Sequence, residues 1–172
     1  YLNRFAKLIR DVLENAQTSE IPFQKDWENI QRYLDLEQLR LDNQLIISLN
    51  ASPELFNGNY RVPPFIIQPF LENAIHHGLR NSLNDQKHLE ISVELKNDYL
   101  IYSIKDNGIG RIAASALAKN QWQEKSSQGI KISADRIHLH NKEKDENNLI
   151  FEDLKDASGN AIGTNVIIRI IV

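Results

Sequence analysis

The stretch Pro69-Phe70-Leu71-Glu72-Asn73-Ala74-Ile75-His76-His77-Gly78 places four polar side chains inside an otherwise apolar segment. Its apolar residues recur with the spacing of one helix face, which predicts a helix packed into a core. A second face of that helix carries Glu72, Asn73, His76 and His77. Because polar groups on a buried helix are costly unless something satisfies them, we expect this edge to line a cleft that holds a ligand.

Composition excludes several classes of protein. A length of 172 residues suits one domain, or one domain with a small appendage. The formal net charge of -3, without a basic run, argues against a general affinity for nucleic acid or anionic membranes. The absence of cysteine excludes a disulfide framework and a thiolate metal site. No apolar run approaches the ~18 residues of a membrane-spanning helix, and the chain starts inside a helical pattern. We therefore expect a fragment, with any membrane segment before Tyr1.

Two helical patterns open the chain, at 1–17 and at about 24–42. Pro22 disfavours a continuous helix, so the two patterns predict a helical hairpin. An apolar stripe follows the full length of each helix and requires a partner. Two interpretations stay open: both helices pack on the main domain, or the hairpin forms a bundle with a second copy of the chain.

The remainder, residues 43–172, mixes helices and strands without regular alternation, which predicts an α+β two-layer sandwich with a mainly antiparallel sheet. A helix is expected to start at Pro64, a residue suited to a first helical turn, and to end near Leu79. A β-hairpin turns at Asn97-Asp98. The other predicted elements are a strand at 45–50, a short helix at 111–119, a polar, mobile loop at 120–128, a helix at about 130–142, and strands at 148–153 and 164–172.

The motif Asp106-Asn107-Gly108-Ile109-Gly110 follows the second hairpin strand. One interpretation is an ordinary hairpin turn at Asn-Gly, but an alanine-rich segment follows instead of an alternating strand. The other is a carboxylate at a strand end, followed by glycines that let a ligand approach the backbone. Such a carboxylate can accept a hydrogen bond from an exocyclic amine, such as that of adenine.

Two further glycines carry weaker signals. Gly129 stands between the polar segment and the predicted helix, where backbone N–H groups could hold a phosphate. An ordinary glycine at a helix start explains Gly129 equally well. The pair Gly163-Thr164 precedes the last strand, and such a pair is more often structural than functional.

The order of these motifs resembles the ATP-binding domain shared by histidine kinases, gyrase, a heat-shock chaperone and MutL, whose fold is the Bergerat sandwich. Three segments look like one branch, the LytS-type sensor histidine kinases, and the resemblance covers nearly the whole chain. A gyrase- or MutL-like ATPase is disfavoured because the flanking helical hairpin matches the kinase branch. The three segments are Tyr1-Leu2-x-x-Phe5-x-x-Leu8-Ile9-Arg10, Tyr33-Leu34-x-Leu36-Glu37-x-x-Arg40 and Pro63 to Gly78.

The resemblance implies a role for each motif residue. Asn73 would bind Mg²⁺ and Glu72 would polarise the attacking nucleophile. Asp106 would read the adenine amino group, and residues 111–128 would form a lid over ATP. The implied ATP-binding residues are Asn73, His76, His77, Asp106, Asn107, Gly108, Gly110, Gly129 and Thr164.

The resemblance also implies the wider setting. Residues 1–42 would be the end of a helical dimerisation and phosphotransfer region, and 43–172 the catalytic domain. The phosphoacceptor histidine would precede Tyr1, since no histidine of this chain stands in that context. The expected partners are a second copy of the chain, through the hairpin, and a response regulator. The domain would be cytoplasmic, in a full-length protein of the inner membrane.

One motif departs from the family pattern. The usual Gly-x-Gly-Leu-x-Asn box reads Ser127-Gln128-Gly129-Ile130-Lys131-Ile132, although the later Arg136 is kept. The departure supports an alternative function, a degenerate nucleotide-binding or interaction module that signals through its hairpin without productive phosphoryl transfer.

Overall fold

This computed structural model describes residues 18–41, 44–82, 84–117, 122–142 and 146–172. Its helices are α1 (Phe23–Arg40), α2 (Glu54–Asn57), α3 (Gln68–Asn73), which continues directly as a π-helix (Ala74–Leu79), α4 (Gly110–Leu117) and α5 (Trp122–Asn141), with a short 3₁₀ turn at Glu146–Asn148. Its strands are β1 (Ile21–Pro22), β2 (Leu45–Ala51), β3 (Arg61–Val62), β4 (Lys87–Lys96), β5 (Tyr99–Asp106), β6 (Leu149–Lys155) and β7 (Ala161–Ile171).

Five strands form one mixed sheet in the order β2-β4-β5-β7-β6. The β2–β4 pair is parallel and the other pairs are antiparallel, while β1 and β3 form a small separate ladder. The turn between β4 and β5 holds Asn97 and Asp98 at φ 51° and 62°, as a tight hairpin turn requires. The predicted α+β sandwich with a mainly antiparallel sheet is confirmed.

Helices cover one face of the sheet and form a single core with it. Alternate residues of the central strand β5 are buried on that face, including Tyr102, Ile104 and, at the strand end, Asp106. Helix α1 contributes Phe23 and Leu34 to the same core. The second predicted helix of the hairpin is therefore present and packs on the sheet domain. The first, at 1–17, lies outside the described residues, and the division at residue 42 stays a prediction.

The helix predicted from Pro64 begins four residues later, at Gln68. The corner before it is fixed by tertiary contacts: Arg136 donates to the carbonyl oxygen of Pro64 at 3.0 Å, and Phe65 stands at φ 58°. A residue in that left-handed region cannot continue a right-handed helix. Pro69 then occupies the first turn, which is the position proline favours.

The polar segment predicted as a loop at 120–128 is helical from Trp122 onward, so the prediction is wrong for the described part. The segment contains good helix formers and no proline, and tertiary packing tolerates the one glycine inside the helix. Gly129 therefore lies in the interior of α5 instead of at its start. No helix within the described ranges is long and apolar enough to cross a membrane.

Candidate active site

The π-helix brings the end of the 68–79 helix against the end of β5. Arg80 donates its backbone N–H to the carbonyl oxygen of Ile75 at 2.9 Å, the i to i−5 bond that widens this turn. The carbonyl oxygen of Gly78 then accepts from the backbone N–H of Ile109 at 3.3 Å. A Cβ atom built on Gly78 would lie 2.9 Å from Oδ1 of Asp106. The motif at residues 69–78 and the motif at residues 106–110 therefore meet at this contact.

Asp106 is the buried carboxylate of the site, with 4% of its surface exposed. Its Oδ1 accepts the backbone N–H of Gly108 at 2.8 Å. The carboxylate also accepts the backbone N–H of Thr164, which pairs with Asp106 from the neighbouring strand β7. Burial raises the pKa of Asp106 to about 6, and the two backbone hydrogen bonds act in the opposite direction. At neutral pH the group is thus mainly a carboxylate, able to accept a hydrogen bond from a ligand.

Two glycines leave the room that this arrangement needs. Gly163 stands at φ 145°, and a Cβ atom there would collide with the backbone carbonyl of Asp106. A Cβ atom on Gly108 would collide with the backbone carbonyl of Gly78. The close approach of these backbones around one carboxylate explains why the sequence places glycine at each point.

Asn107 ties the motif to the loop before β4. Its Oδ1 accepts the backbone N–H of His88 at 2.8 Å, and its Nδ2 donates to the carbonyl oxygen of Gln86 at 2.9 Å. Its own carbonyl accepts from Nδ2 of Asn84 at 2.8 Å. The side chain therefore supports the loop, and its role in binding ATP stays a prediction.

The polar edge of the 68–79 helix is only partly open. Glu72 is exposed and accepts from Nε2 of Gln68 at 3.0 Å, whereas Asn73, His76 and His77 are half-buried. Nε2 of His76 lies 3.6 Å from Oε2 of Glu37 in α1. Burial lowers the pKa of His76, partly opposed by the Glu37 carboxylate. One of the two candidate histidines thus has a contact on another helix.

The remaining candidates fall into two places. Gly110, at φ 75°, begins α4 beside Ala161 and Gly163, and Thr164 is buried next to Asp106. Gly129 packs beside Pro69, where a Cβ atom would make an ordinary 3.5 Å contact. Its position in a helix interior contradicts both interpretations made from sequence, which required a helix start.

Sequence reasoning missed the polar residues of α1 that face this helix. Asp26, Asn29, Tyr33 and Glu37 are all buried, and they follow the i, i+3, i+7, i+11 spacing of one helix face. The same spacing can be read from the sequence, but the apolar residues beside these positions give the stronger helical pattern.

The donor set fits a nucleotide better than a protein-held metal. Within the described ranges no group of three or more histidine, cysteine or acidic side chains is placed to hold a metal ion. Mg²⁺ that accompanies a triphosphate needs few protein ligands, because it keeps water and phosphate oxygens in its shell. A buried acceptor beside close backbones, with amide and imidazole groups along the adjoining helix, suits a base at one end and phosphates at the other.

Comparison with known proteins gives a consistent result. A protein-family model described as histidine kinase matches residues 1–45. The LytS sensor protein of Staphylococcus epidermidis is 34% identical over 109 residues, which are 63% of this chain and 18% of that protein. The LytS sensor protein of Enterococcus faecalis is 29% identical over the same shares. The chain thus matches less than a fifth of the length of these relatives.

Solved structures support the fold. The mycobacterial sensor histidine kinase MprB superposes with a TM-score of 0.58 at 14% identity, covering 88% of this chain and 95% of that one. The histidine kinase AdeS of Acinetobacter baumannii gives a TM-score of 0.54 at 15% identity, over 99% of this chain and 78% of that one. The resemblance to LytS-type sensor histidine kinases, and the fold of their catalytic domain, are confirmed.

Proposed function

We propose that this chain is the ATP-binding catalytic portion of a two-component sensor histidine kinase, which transfers the γ-phosphoryl group of ATP to a histidine before Tyr1. The observation that carries the proposal is the buried Asp106 carboxylate, enclosed by the backbones of Gly78, Gly108 and Gly163 at the end of the helix with the polar edge.

Asp106 supports adenine as the base. A carboxylate accepts hydrogen bonds, so it pairs with the exocyclic amine of adenine and repels the carbonyl oxygen that guanine carries in its place. The backbone N–H groups of Gly108 and Thr164 hold the carboxylate in place, which restricts how a base can approach it.

The polar edge supports the phosphate end. Mg²⁺, when bound, would offset the negative charge of the triphosphate, with Asn73 as its protein ligand. His76 and His77 are half-buried and lie on the same helix, where they would contact the phosphate oxygens. Glu72 is exposed, so an incoming imidazole can approach its carboxylate, which would orient or deprotonate the nucleophile.

Titration calorimetry with a non-hydrolysable ATP analogue and Mg²⁺ tests the proposal. We expect the wild-type chain to bind the ATP analogue and to bind the corresponding GTP analogue more weakly. Asp106→Asn should weaken binding, since an amide offers a donor on one side where the carboxylate offers only acceptors. No measurable binding by the folded wild-type chain would refute the proposal.

A second candidate function is a nucleotide-poor interaction module that signals through its helical hairpin. It is favoured by one observation: Gly129 lies inside α5, so the altered glycine box offers no helix start to a phosphate. A longer chain that includes the upstream histidine separates the two candidates. Formation of phosphohistidine from ATP labelled at the γ-phosphate would exclude the interaction module.

The partners and location belong to the same proposal. The histidine kinase match over residues 1–45 supports dimerisation through that region and a response regulator as the acceptor of the phosphoryl group. The LytS relatives are sensor proteins, and we infer for this domain a cytoplasmic position in a full-length protein held in the inner membrane.

A further inference from the structure

A polar stripe on α1 faces the segment that leads into the proposed nucleotide site. Asp26 accepts the backbone N–H of Phe65 through Oδ1 at 3.4 Å, and Glu37, three turns further along, reaches His76. Both side chains are buried, with 1% and 7% of their residue surfaces exposed. Helix α1 is therefore joined to the 65–76 segment by polar contacts at both ends.

This polar stripe is incompletely satisfied. Among the described residues, four of its buried atoms have no hydrogen-bond partner: Oδ2 of Asp26, Nδ2 of Asn29, the hydroxyl oxygen of Tyr33 and Oε2 of Glu37. A cavity of about 10 Å³ lies between Asp26, Asn29 and Tyr33 and the opposite segment.

Glu37 is the residue of the polar stripe that contacts His76, one of the residues proposed to bind the phosphates. Its Oε1 lies 3.4 Å from a guanidinium nitrogen of Arg40, while its Oε2 is directed at Nε2 of His76 at 3.6 Å. His76 is also acted on by Arg40 of α1, and by Arg80 and His77 of its own segment. Among the described residues that act on this imidazole, Glu37 is the one carboxylate.

We propose that Glu37 and the triphosphate compete for His76, so that the docked α1 helix lowers the affinity of the phosphate end of the site. The inference rests on the proposed function, because it requires a nucleotide whose phosphates reach His76. Glu37 lies at Nε2 of His76, so a phosphate that uses the same nitrogen must displace it, and the charge of Glu37 also opposes a nearby phosphate.

The competition has a consequence for α1. When a phosphate takes His76, the Glu37 carboxylate keeps Arg40 but loses its 3.6 Å contact with the imidazole, while its side chain is only 10% exposed. A buried carboxylate that loses a partner destabilises the docked position. Nucleotide binding is therefore expected to loosen the last turns of α1, from about Tyr33 to Arg40.

The first experiment compares two ligands in three proteins by calorimetry: an ATP analogue with Mg²⁺, and adenosine. Glu37→Gln keeps the shape but removes the charge. Glu28→Gln is the matched control, a carboxylate of the same helix that pairs with Arg32 and whose side chain is 45% exposed. We expect Glu37→Gln to bind the ATP analogue about two- to tenfold more tightly and adenosine equally well. A merely structural role of Glu37 would change both affinities in parallel.

The second experiment follows hydrogen exchange of the wild-type chain with and without the ATP analogue, and needs no variant. We expect faster exchange across residues 33–40 with the ATP analogue and no change with adenosine. If the analogue binds but neither the exchange nor the affinity ratio in Glu37→Gln changes, the competition is refuted while the proposed function stands. If the analogue does not bind the wild-type chain, both are refuted.

Discussion

The carbonyl oxygen of Gly78 accepts the backbone N–H of Ile109 at 3.3 Å, and this bond joins the π-helix to the loop that follows the central strand. The two residues belong to segments 31 positions apart in the sequence. The contact holds the Asp106 carboxylate between a helix end and a strand end, so changes at this junction are expected to affect both stability and ligand binding.

Gly78→Ala is expected to damage this junction. The new Cβ atom would lie 2.9 Å from Oδ1 of Asp106, closer than ordinary packing allows, so the carboxylate or the helix must move. We expect a loss of about 1–3 kcal/mol in the free energy of unfolding, and weaker binding of an ATP analogue. Denaturant unfolding and calorimetry measure the two effects, and wild-type values in both would contradict the geometry described for Asp106.

Gly129→Ala is expected to act in the opposite direction on stability. Gly129 lies in the interior of α5, and a Cβ atom would make an ordinary 3.5 Å contact with Pro69. Alanine in a helix interior is favoured over glycine by about 0.5–1 kcal/mol. Denaturant unfolding should therefore show a stabilised protein. A destabilised Gly129→Ala variant would indicate that this glycine begins a helix after all, as the sequence suggested.

Adenosine binding is expected to depend on the ionisation of Asp106. Its pKa is raised to about 6 by burial, so the carboxylate gains a proton as the pH falls through 6 and loses an acceptor position. Affinity should be constant above about pH 7 and decline below pH 6. Adenosine is the suitable probe because it has no phosphate that titrates in this range, and its binding can be followed by NMR titration.

The variant Asp106→Asn should bind adenosine about ten- to a hundredfold more weakly and show no decline between pH 7 and 5. Asp98→Asn is the matched control, since Asp98 lies in the turn at the opposite end of the same pair of strands. A decline with pH that survives in Asp106→Asn would assign the titration to another group.

Asp26 is expected to make the protein less stable as the pH rises. Burial raises its pKa from 3.8 to about 7, with the Phe65 N–H and the Arg136 charge acting in the opposite direction. The pKa of Asp26 is higher in the folded than in the unfolded chain. Its favourable contribution to the free energy of unfolding is therefore complete below about pH 4 and is lost as the pH rises through 7. The effect should reach roughly 2–4 kcal/mol at pH 8.

Unfolding in denaturant at pH 5 and pH 8 measures the part of this contribution that is lost between those two values. Asp26→Asn retains an acceptor for the Phe65 N–H but cannot ionise, so its stability should change less between the two pH values than that of the wild type. Asp35→Asn, on the exposed side of the same helix, should follow the wild type. Equal pH dependence in wild type and Asp26→Asn would remove Asp26 as the source.

Local patterns predicted most of the fold, because they reflect the packing that the structure shows. The alternation around Asn97-Asp98 gave the central hairpin, and the apolar face of residues 69–78 gave the buried helix. The start of that helix at Gln68 was not predictable, because Arg136 and Asp26 fix the Pro64–Phe65 corner from distant positions. The prediction that Gly129 stands at a helix start failed for a related reason, since its place inside α5 depends on packing against Pro69.

The site was predictable as a set of motifs but not as a geometry. Asp106, Gly108 and Thr164 could be marked from their order along the chain. The contact between Gly78 and Asp106 depends on a π-helix, which the apolar spacing of residues 69–78 does not predict. The pairing of His76 with Glu37 depends on how α1 docks, and the sequence left that docking open.

The widened turn at Ala74–Leu79 has one more consequence. A turn closed by an i to i−5 bond contains one residue more than an α-helical turn, so it is equivalent to a one-residue insertion within a continuous helix. Removing a single residue from this turn would restore a plain α-helix and rotate everything after it relative to Glu72 and Asn73. Gly78 would then no longer face Asp106. The alignment of the two ends of the proposed site is thus set by the length of one turn, and a one-residue deletion there would separate them without changing any side chain that binds.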